Sequence, residues 1–271
     1  MRILPVDGSW TYTWRAACGS GVMNWWGVWE RMPGFARQEM HGIALWVGDP
    51  DCQAAHDVTL GWLQEHCPNF CSVVSAADNI LKGNLGETIA FCVGYWYMFN
   101  DPRFKTFADN ALNPFGGISK PGIDIVWIHF GETGDDDMAI LQEVKTTGDS
   151  SLSLADNLIS DYDKLFLGTD PNFRLHYRLW HIKNKLEYEH KQPELCPRVQ
   201  ALAGKSPETS PQVVLLPTLV HERLGSDPQT KMLAIRETLY GKGWTRRAVK
   251  PWAIGLLDLN ARLLRLAMGQ Q

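Results

Sequence analysis

Apolar positions change their spacing once between residues 75 and 147, and the change separates a helix from a pair of strands. The first set recurs at steps of three and four, which predicts an amphipathic helix. Its members are Leu81, Leu85, Ile89, Val93 and Trp96. β-Branched and aromatic residues then fill 123–130, and a second apolar run fills 138–146, with Gly134 and three aspartates between them. The sequence therefore predicts an antiparallel hairpin after the helix.

Helix and strand patterns alternate through the rest of the chain. The remaining predicted elements are helices at 152–167, 228–240 and 259–268, a partly helical segment at 173–198, and strands at 213–221 and 248–256. Proline cannot donate a backbone hydrogen bond, so Pro217 predicts that its strand lies at a sheet edge or carries a bulge. Alternation of this kind, without repeats or low-complexity tracts, predicts an α/β or α+β fold.

Tryptophan is concentrated near the N-terminus. Seven of the 12 tryptophans lie within the first 62 residues, among glycines and few charged residues. Bulky aromatic side chains are rarely left exposed in a monomer. We therefore expect residues 1–72 either to pack on the rest of the chain or to contact a partner protein, and residues 73–271 to form the α/β domain.

Composition and charge narrow the class of protein. The chain has 271 residues, with 26 Lys+Arg against 30 Asp+Glu and a net charge of −4. Proteins that hold nucleic acid mainly through overall charge carry a basic excess, so a histone-like binder is not expected. The first ten residues lack a signal-peptide pattern, and the longest apolar stretch, 88–99, is shorter than the ~20 residues of a membrane span. Six sparse cysteines also favour a reducing, cytoplasmic location.

Two carboxylates and a lysine stand out on the predicted hairpin. Asp124 is the one charged residue on an otherwise apolar strand face, and a buried carboxylate needs a hydrogen-bond donor, a counter-charge or a metal ion. Glu143 and Lys145 are two residues apart and therefore share a face of the second strand. With a turn near 134–135, residue 124 lies opposite about 145, and Asp124 and Glu143 are diagonal neighbours roughly 5–8 Å apart. That spacing suits one or two divalent cations.

Glu87, on the predicted helix, would add a third oxygen ligand if the helix packs beside the hairpin. A lysine at such a site can orient or deprotonate water, or neutralise charge that develops on a phosphate. Two other interpretations stay open at this point. The first is an ion pair between Asp124 and Lys145 with Glu143 in solvent, and the second is an acid/base pair in an unrelated α/β hydrolase.

Three short motifs carry a resemblance to a known family. They are Gly86-Glu87, Gly122-Ile123-Asp124 and, after 18 intervening residues, Glu143-Val144-Lys145. This combination resembles the PD-(D/E)XK nuclease superfamily of restriction and repair enzymes. The resemblance implies a restriction-endonuclease-like core, with a mixed sheet flanked by helices, and hydrolysis of DNA phosphodiester bonds that depends on Mg²⁺ or Mn²⁺. It also implies that Asp124, Glu143 and Glu87 are metal ligands and that Lys145 positions water.

The order of parts also resembles the nuclease subunits (HamA) of Hachiman-type anti-phage defence systems. A Trp-rich region there precedes Gly-x-x-Gly-Glu and an Ile-Asp strand. This resemblance implies a helicase (ATPase) partner that contacts the N-terminal region, restrains the nuclease and delivers DNA to it. Candidate contacts to the DNA backbone are Lys164, Lys242, Arg246, Arg247 and Lys250. Alternatively, these cations are ordinary surface residues. A separate alternative is that the chain is a catalytically inactive binding or regulatory subunit with the same fold.

Overall fold

The computed structural model describes most of the chain beyond residue 28. The described residues are 29–32, 35–40, 43–45, 49–67, 70, 79–95, 102–115, 122–167, 175–205, 210, 212–222, 228–244 and 248–270. The strands are β1 (Trp29–Met32), β2 (Phe35–Met40), β3 (Ile43–Leu45), β4 (Phe104–Phe107), β5 (Ile125–His129), β6 (Met138–Thr147), β7 (Val213–Glu222) and β8 (Trp252–Leu256). The helices are α1 (Asp49–His66), α2 (Asn79–Val93), α3 (Asp109–Leu112), α4 (Asn157–Leu167), α5 (Leu175–Asn184), α6 (Cys196–Ala203), α7 (Pro228–Gly241) and α8 (Leu259–Ala267).

A six-stranded sheet with the order β3-β8-β7-β6-β5-β4 is the central layer of the described part of the chain. The first four strands in this order are parallel to one another, whereas β5 is antiparallel to both β6 and β4. Strands β1 and β2 form a separate antiparallel pair. The predicted α/β fold class, with a mixed sheet flanked by helices, is confirmed.

Helices cover both faces of this sheet. Successive side chains of a strand point to opposite faces. Ile140 and Val144 of β6 therefore enter the core under α1, α2 and α8, whereas Ala139 and Leu141 enter the core under α4, α5, α6 and α7. The connections from β6 to β7 and from β7 to β8 both run through the second layer of helices. Strand β6 thus lies between two hydrophobic cores and carries side chains into each.

The predicted hairpin is confirmed as β5 and β6, which pair antiparallel around a short 3₁₀ turn at Gly134–Asp136. Its register differs from the prediction. Ile125 pairs with Gln142, so Asp124, the preceding residue, is adjacent to Glu143 instead of residue 145. The centre of the turn lies one residue closer to the N-terminus than predicted, and each residue of shift at a turn moves the cross-strand partner by two. Turn geometry therefore decides which side chains meet.

Strand β7 lies in the middle of the sheet, between β6 and β8. The prediction that Pro217 would put this strand at an edge or make it bulged is wrong. Pro217 is paired in register with Glu143 of β6, and pairing with β8 begins only at the next residue, Thr218. A missing N–H is tolerated at this position because the proline precedes the segment that β8 pairs with.

The structure describes part of the Trp-rich region 1–72. Strand β3 adds an edge to the central sheet beside β8, and Leu60 and Leu63 of α1 enter the same core as α2. This part of the region therefore packs on the α/β core. Five of its tryptophans lie outside the described residues: Trp10, Trp14, Trp25, Trp26 and Trp46. Among the described helices, none is both long and apolar enough to cross a membrane.

Candidate active site

A cleft of about 790 Å³ opens where the C-terminal end of β6 meets α2, α4 and the segment that leads into β5. Its charged lining residues are Lys82, Glu87, Asp124, Glu143, Lys145, Asp149, Asp161 and Lys164. All four residues that the sequence predicts to be catalytic are among them. Five carboxylates against three ammonium groups give the cleft a surplus of negative charge.

Asp124 lies in the cleft just before β5. The backbone N–H of Val144 donates a hydrogen bond to its Oδ2 atom at 2.7 Å, so the side chain is held against β6. Burial raises the pKa of Asp124 well above its ordinary value, and the negative charge of Glu87 raises it further. The Lys145 ammonium and the Val144 N–H act in the opposite direction but do not offset these two effects. This carboxylate would therefore gain from an additional cation.

Glu143 and Lys145 project from the same face of β6, as the strand period predicts. Lys145 Nζ donates a hydrogen bond to Glu143 Oε1 at 2.8 Å, and Glu143 is only 5% exposed. Burial and the charge of Asp124 raise the pKa of Glu143 well above its ordinary value. Burial alone would favour the neutral amine of Lys145, but the carboxylates of Glu143, Asp124 and Asp161 outweigh it and raise the pKa of this lysine. Lys145 is therefore a cation at neutral pH.

These contacts contradict one of the two alternatives that the sequence left open. Glu143 does not point into solvent, and it is one of the ion-pair partners of Lys145. Asp124 instead accepts a backbone hydrogen bond from Val144. The cause is the register of the hairpin, which puts Asp124 beside Glu143 and leaves Lys145 two residues further along β6.

Glu87 reaches the cleft because α2 packs very closely on β6. A Cβ atom at Gly86 would lie 1.8 Å from Thr146 Oγ1, so only glycine permits this approach. The next residue of the helix, Glu87, is 6% exposed and lines the cleft. Its charge is close enough to raise the pKa of Asp124, although burial contributes more to that shift. The helix carboxylate predicted from the sequence therefore lies at the same site as the hairpin residues.

Asp161 of α4 completes the charged cluster, and sequence reasoning missed it. Its Oδ2 atom accepts a hydrogen bond from Lys145 Nζ at 2.7 Å, and its Oδ1 atom accepts one from Lys164 Nζ at 2.7 Å. Burial alone would raise the pKa of Asp161, but the hydrogen bonds from the two ammonium groups outweigh it and lower the pKa. The available signal was the three-residue spacing from Lys164 on the helix after Glu-x-Lys, which puts both side chains on one helix face.

Tyr162 anchors α4 to the strand that carries the site. Its hydroxyl donates a hydrogen bond to the carbonyl oxygen of Leu141 at 2.9 Å and accepts one from the backbone N–H of Glu143 at 3.3 Å. Burial raises the pKa of Tyr162 well above its ordinary value, and the nearby Glu143 charge adds to this. Tyr162 is therefore neutral, and it fixes the position of the adjacent Asp161 relative to β6.

The candidate DNA contacts among the described residues do not form one surface. Lys164 lines the cleft and its side chain is 54% exposed, so it is available to a ligand. Lys242 forms an ion pair with Asp163 and is not among the described residues that line the cleft. Lys250 is only 3% exposed, so its predicted role as a contact to the DNA backbone is corrected: the side chain lies inside the fold. Arg246 and Arg247 lie outside the described residues.

The oxygen donors in the cleft can be compared with those that the predicted divalent cation needs. In the described part of the chain, no group of three or more His, Cys, Asp and Glu side chains is arranged to hold a metal ion. Mg²⁺ often binds through only one or two carboxylates, with water and substrate phosphate oxygens as its other ligands. Asp124 and Glu143 are two adjacent carboxylates whose pKa values are raised by burial and like charge, so a cation would be favourable there. These donors fit an open magnesium site.

The structure therefore brings Asp124, Glu143, Lys145 and Glu87 into one cleft and adds Asp161 to them. The combination consists of hard oxygen donors and one half-buried ammonium group, which suits chemistry on an anionic substrate. Comparison with known proteins adds no family to this picture. No protein-family model matches the chain, and no curated protein matches its sequence.

Proposed function

We propose that this protein is a nuclease that hydrolyses DNA phosphodiester bonds with the help of Mg²⁺ or Mn²⁺. The observation that supports the proposal most strongly is the convergence of Asp124, Glu143 and Lys145 at the open end of one hairpin. Glu87 of α2 supplies a further carboxylate to the same cleft. The three motifs that carry the family resemblance thus supply side chains to the same cleft.

The balance of charge in the cleft supports a metal-dependent reaction on a phosphate. A phosphodiester is an anion, and five carboxylates against three ammonium groups would repel it. When bound, Mg²⁺ supplies positive charge that polarises the phosphodiester and lowers the pKa of a coordinated water. Asp124 and Glu143 are the ligands we propose for it. The pKa values of both carboxyl groups are raised, as expected for a cation site without its cation, because no positive charge then stabilises the two carboxylates.

Lys145 is the proposed residue that acts directly on the substrate. It is protonated, because the carboxylates around it raise its pKa, and it therefore serves as a hydrogen-bond donor and not as a general base. Its ammonium group orients the attacking water and neutralises charge that develops on the phosphate. Lys164, exposed at the rim of the cleft, is the proposed contact to a neighbouring phosphate.

Nicking of supercoiled plasmid DNA tests this function. Wild-type protein, Glu143→Gln and Lys145→Ala are compared in Mg²⁺ and in EDTA, with Glu65→Gln as the matched control because Glu65 is exposed and lies on α1. We expect each cleft variant to lose at least about 100-fold in rate, the control to keep the wild-type rate, and EDTA to stop cleavage. Equal cleavage by all variants, or cleavage that persists in EDTA, would contradict the proposal.

The finer proposal is that this nuclease is the effector subunit of an anti-phage complex and works in the cytoplasm with a helicase partner. A net charge of −4 predicts weak DNA affinity for the lone subunit, so a partner would have to bring the DNA. The Trp-rich region is the proposed contact. Affinity purification from the native host tests this: the wild-type chain should recover a protein with helicase motifs, and Trp25→Ala/Trp26→Ala should recover less. Unchanged recovery would contradict a contact through these tryptophans.

A second candidate is a catalytically inactive binding or regulatory subunit with the same fold. It is favoured by the ion pairs of Lys145, which already engage oxygens of both Glu143 and Asp161. Calorimetric titration with Mg²⁺ distinguishes the two candidates. A nuclease should bind Mg²⁺ and lose that binding in Glu143→Gln, whereas an inactive subunit should give no binding heat with either protein.

A further inference from the structure

Lys145 has two carboxylate partners that come from different elements. Glu143, on the same strand, accepts a hydrogen bond at 2.8 Å, and Asp161, on α4, accepts one at 2.7 Å. A lysine ammonium has three N–H donors and can satisfy both carboxylates at once. The two contacts are not equivalent, however, because Glu143 is also a proposed ligand of Mg²⁺, whereas Asp161 comes from α4 and is not one of the proposed ligands.

Contacts other than the one with the Lys145 ammonium group set the position of Asp161. The adjacent Tyr162 hydroxyl joins α4 to β6 by bonding the carbonyl oxygen of Leu141 and the backbone N–H of Glu143. Lys164 bonds the other oxygen of Asp161 at 2.7 Å, one helical turn further along. Tyr162 therefore fixes the helix on β6, Lys164 orients the carboxylate, and Oδ2 of Asp161 is left as an acceptor for Lys145.

We propose that Asp161 is a positioning residue, which holds the Lys145 ammonium group in the cleft when Glu143 is engaged with a cation. The inference rests on the proposed nuclease function. Lys145 bonds the Glu143 carboxylate, so a cation bound by Glu143 would repel the ammonium group and weaken that hydrogen bond. Without a second acceptor the lysine side chain would be free to leave the cleft, and Asp161 prevents this. Lys164, whose side chain is largely in solvent, bonds the other carboxylate oxygen of Asp161 and keeps it oriented.

The matched variants come from one helix. Asp161→Asn removes the charge at nearly constant volume, and Asp161→Glu restores it. Asp163→Asn is the control, because Asp163 lies two residues away, pairs with Lys242 and is not among the described residues that line the cleft. A thermal melt of each variant verifies that it is folded.

The first measurement needs neither metal nor activity. The ¹⁵Nζ signal of Lys145, assigned through Lys145→Arg, is recorded for metal-free protein in a lysine-selective spectrum, where only ammonium groups that are held and shielded from exchange give a sharp signal. We expect the signal to survive in Glu143→Ala, because Asp161 still holds the lysine, and to disappear in Glu143→Ala/Asp161→Asn. A signal that survives in the double variant, or that is already lost in Glu143→Ala alone, would overturn the proposal.

The second measurement is steady-state cleavage in Mg²⁺. We expect Asp161→Asn to lower kcat by about 10-fold to 100-fold with KM within about twofold of wild type, as for residues that orient a catalytic group. Asp161→Glu should recover most of kcat, and Asp163→Asn should match wild type. An unchanged kcat in Asp161→Asn would overturn the role in catalysis. If wild-type protein cleaves nothing, the nuclease proposal itself fails, and the ammonium signal still decides whether Asp161 holds Lys145.

Discussion

Gln142 and Glu143 are neighbours on β6, but they enter two very different buried polar environments. On the face under α2, the Gln142 side chain accepts a hydrogen bond from Trp127 Nε1 at 2.8 Å and donates one to Thr218 Oγ1 at 3.0 Å. The Thr218 hydroxyl in turn donates to the carbonyl oxygen of Leu216. On the face under α4, Glu143 shares a cleft with four other carboxylates. One face has neutral and mutually bonded groups, and the other has an excess of charge.

The difference indicates that the neutral network around Gln142 serves stability, whereas the charged cluster around Glu143 serves binding. The three side chains of the neutral network are fully buried and join β5, β6 and β7 to one another. A buried polar network with matched donors and acceptors stabilises the fold and specifies the strand register. The charged cluster costs free energy, because burial raises the pKa of Glu143 and Asp124. A protein tolerates such a cost where a ligand can relieve it.

The largest expected effect comes from breaking the neutral network. Gln142→Ala removes the acceptor of the Trp127 N–H and the donor to the Thr218 hydroxyl, which keeps its own bond to Leu216, and it leaves a cavity in the core. We expect the free energy of unfolding to fall by about 3 kcal/mol, since a buried polar group that loses its partner costs about 1–3 kcal/mol and the cavity left by the side chain adds to this. Urea denaturation measures this, with Gln200→Ala as the control because Gln200 is exposed on α6. A loss below about 1 kcal/mol would contradict a structural role for the network.

The second effect tests the close approach of α2 to β6. A methyl group at Gly86 would collide with Thr146, so Gly86→Ala should lower the free energy of unfolding by about 2 kcal/mol through overpacking. Thr146→Ala should recover part of this loss in the double variant. Gly83→Ala is the matched control on the same helix, because no atom lies within 4 Å of a Cβ there. In that control the free energy of unfolding should rise by about 0.5–1 kcal/mol, because alanine favours the helix more than glycine does. Equal effects at both glycines would contradict the packing described.

The third prediction concerns the pH dependence of stability, and here the substitution is expected to stabilise the protein slightly instead of destabilising it. The pKa of Glu143 is raised from its ordinary value of 4.5 in the folded protein, so the folded state holds this proton more tightly than the unfolded state does. This carboxyl group therefore stabilises the fold at low pH, and its contribution is lost as pH rises from about 4.5 through the raised value.

Glu143→Gln removes the part of the pH dependence of stability that comes from this carboxyl group. Between about pH 5 and pH 8 its free energy of unfolding should fall less steeply than that of wild type, and at pH 8 it should equal or exceed wild type by about 1 kcal/mol. Urea denaturation at a series of pH values measures the two slopes. A steeper slope in the variant would mean that Glu143 is stabilised as a carboxylate and that the cleft does not need a cation.

The smallest effect concerns the rim of the cleft. Lys164 is largely exposed and pairs with Asp161, so Lys164→Ala should change the free energy of unfolding by less than about 0.5 kcal/mol. If it contacts a substrate phosphate, KM should rise about threefold, equivalent to about 0.7 kcal/mol for an exposed ionic contact, with kcat unchanged. Lys205→Ala, another exposed lysine, is the control for overall charge. A fall in kcat as large as that of Lys145→Ala would instead make Lys164 part of the catalytic centre.

Local patterns predict most of the elements. The helical spacing after residue 79, the hairpin and the helix from Pro228 to Gly241 all agree with the structure, because each depends on neighbours within a few residues. The same period arguments put Glu143 and Lys145 on one face. Turn chemistry was less informative, since a shift of one residue in the turn centre changes the partner of Asp124.

Contacts between distant elements were harder to anticipate. Asp161 is 16 residues beyond Lys145, and only the packing of α4 on β6, through Tyr162, brings the two side chains together. Lys250 looks like one member of an exposed basic cluster in the sequence, yet the fold buries it beside the sheet. Burial of this kind depends on what packs above a residue, which its neighbours in sequence do not encode.

The sequence by itself determined the α/β class, the hairpin and the identity of four of the five residues at the centre of the cleft. It did so because side-chain periodicity and residue chemistry are local properties. Only the tertiary structure decided that β7 is central, that Asp124 is adjacent to Glu143, and that Asp161 of α4 accepts a hydrogen bond from Lys145. The reason is that register, layer order and charge balance arise when whole elements pack together, and these three properties define the proposed active site.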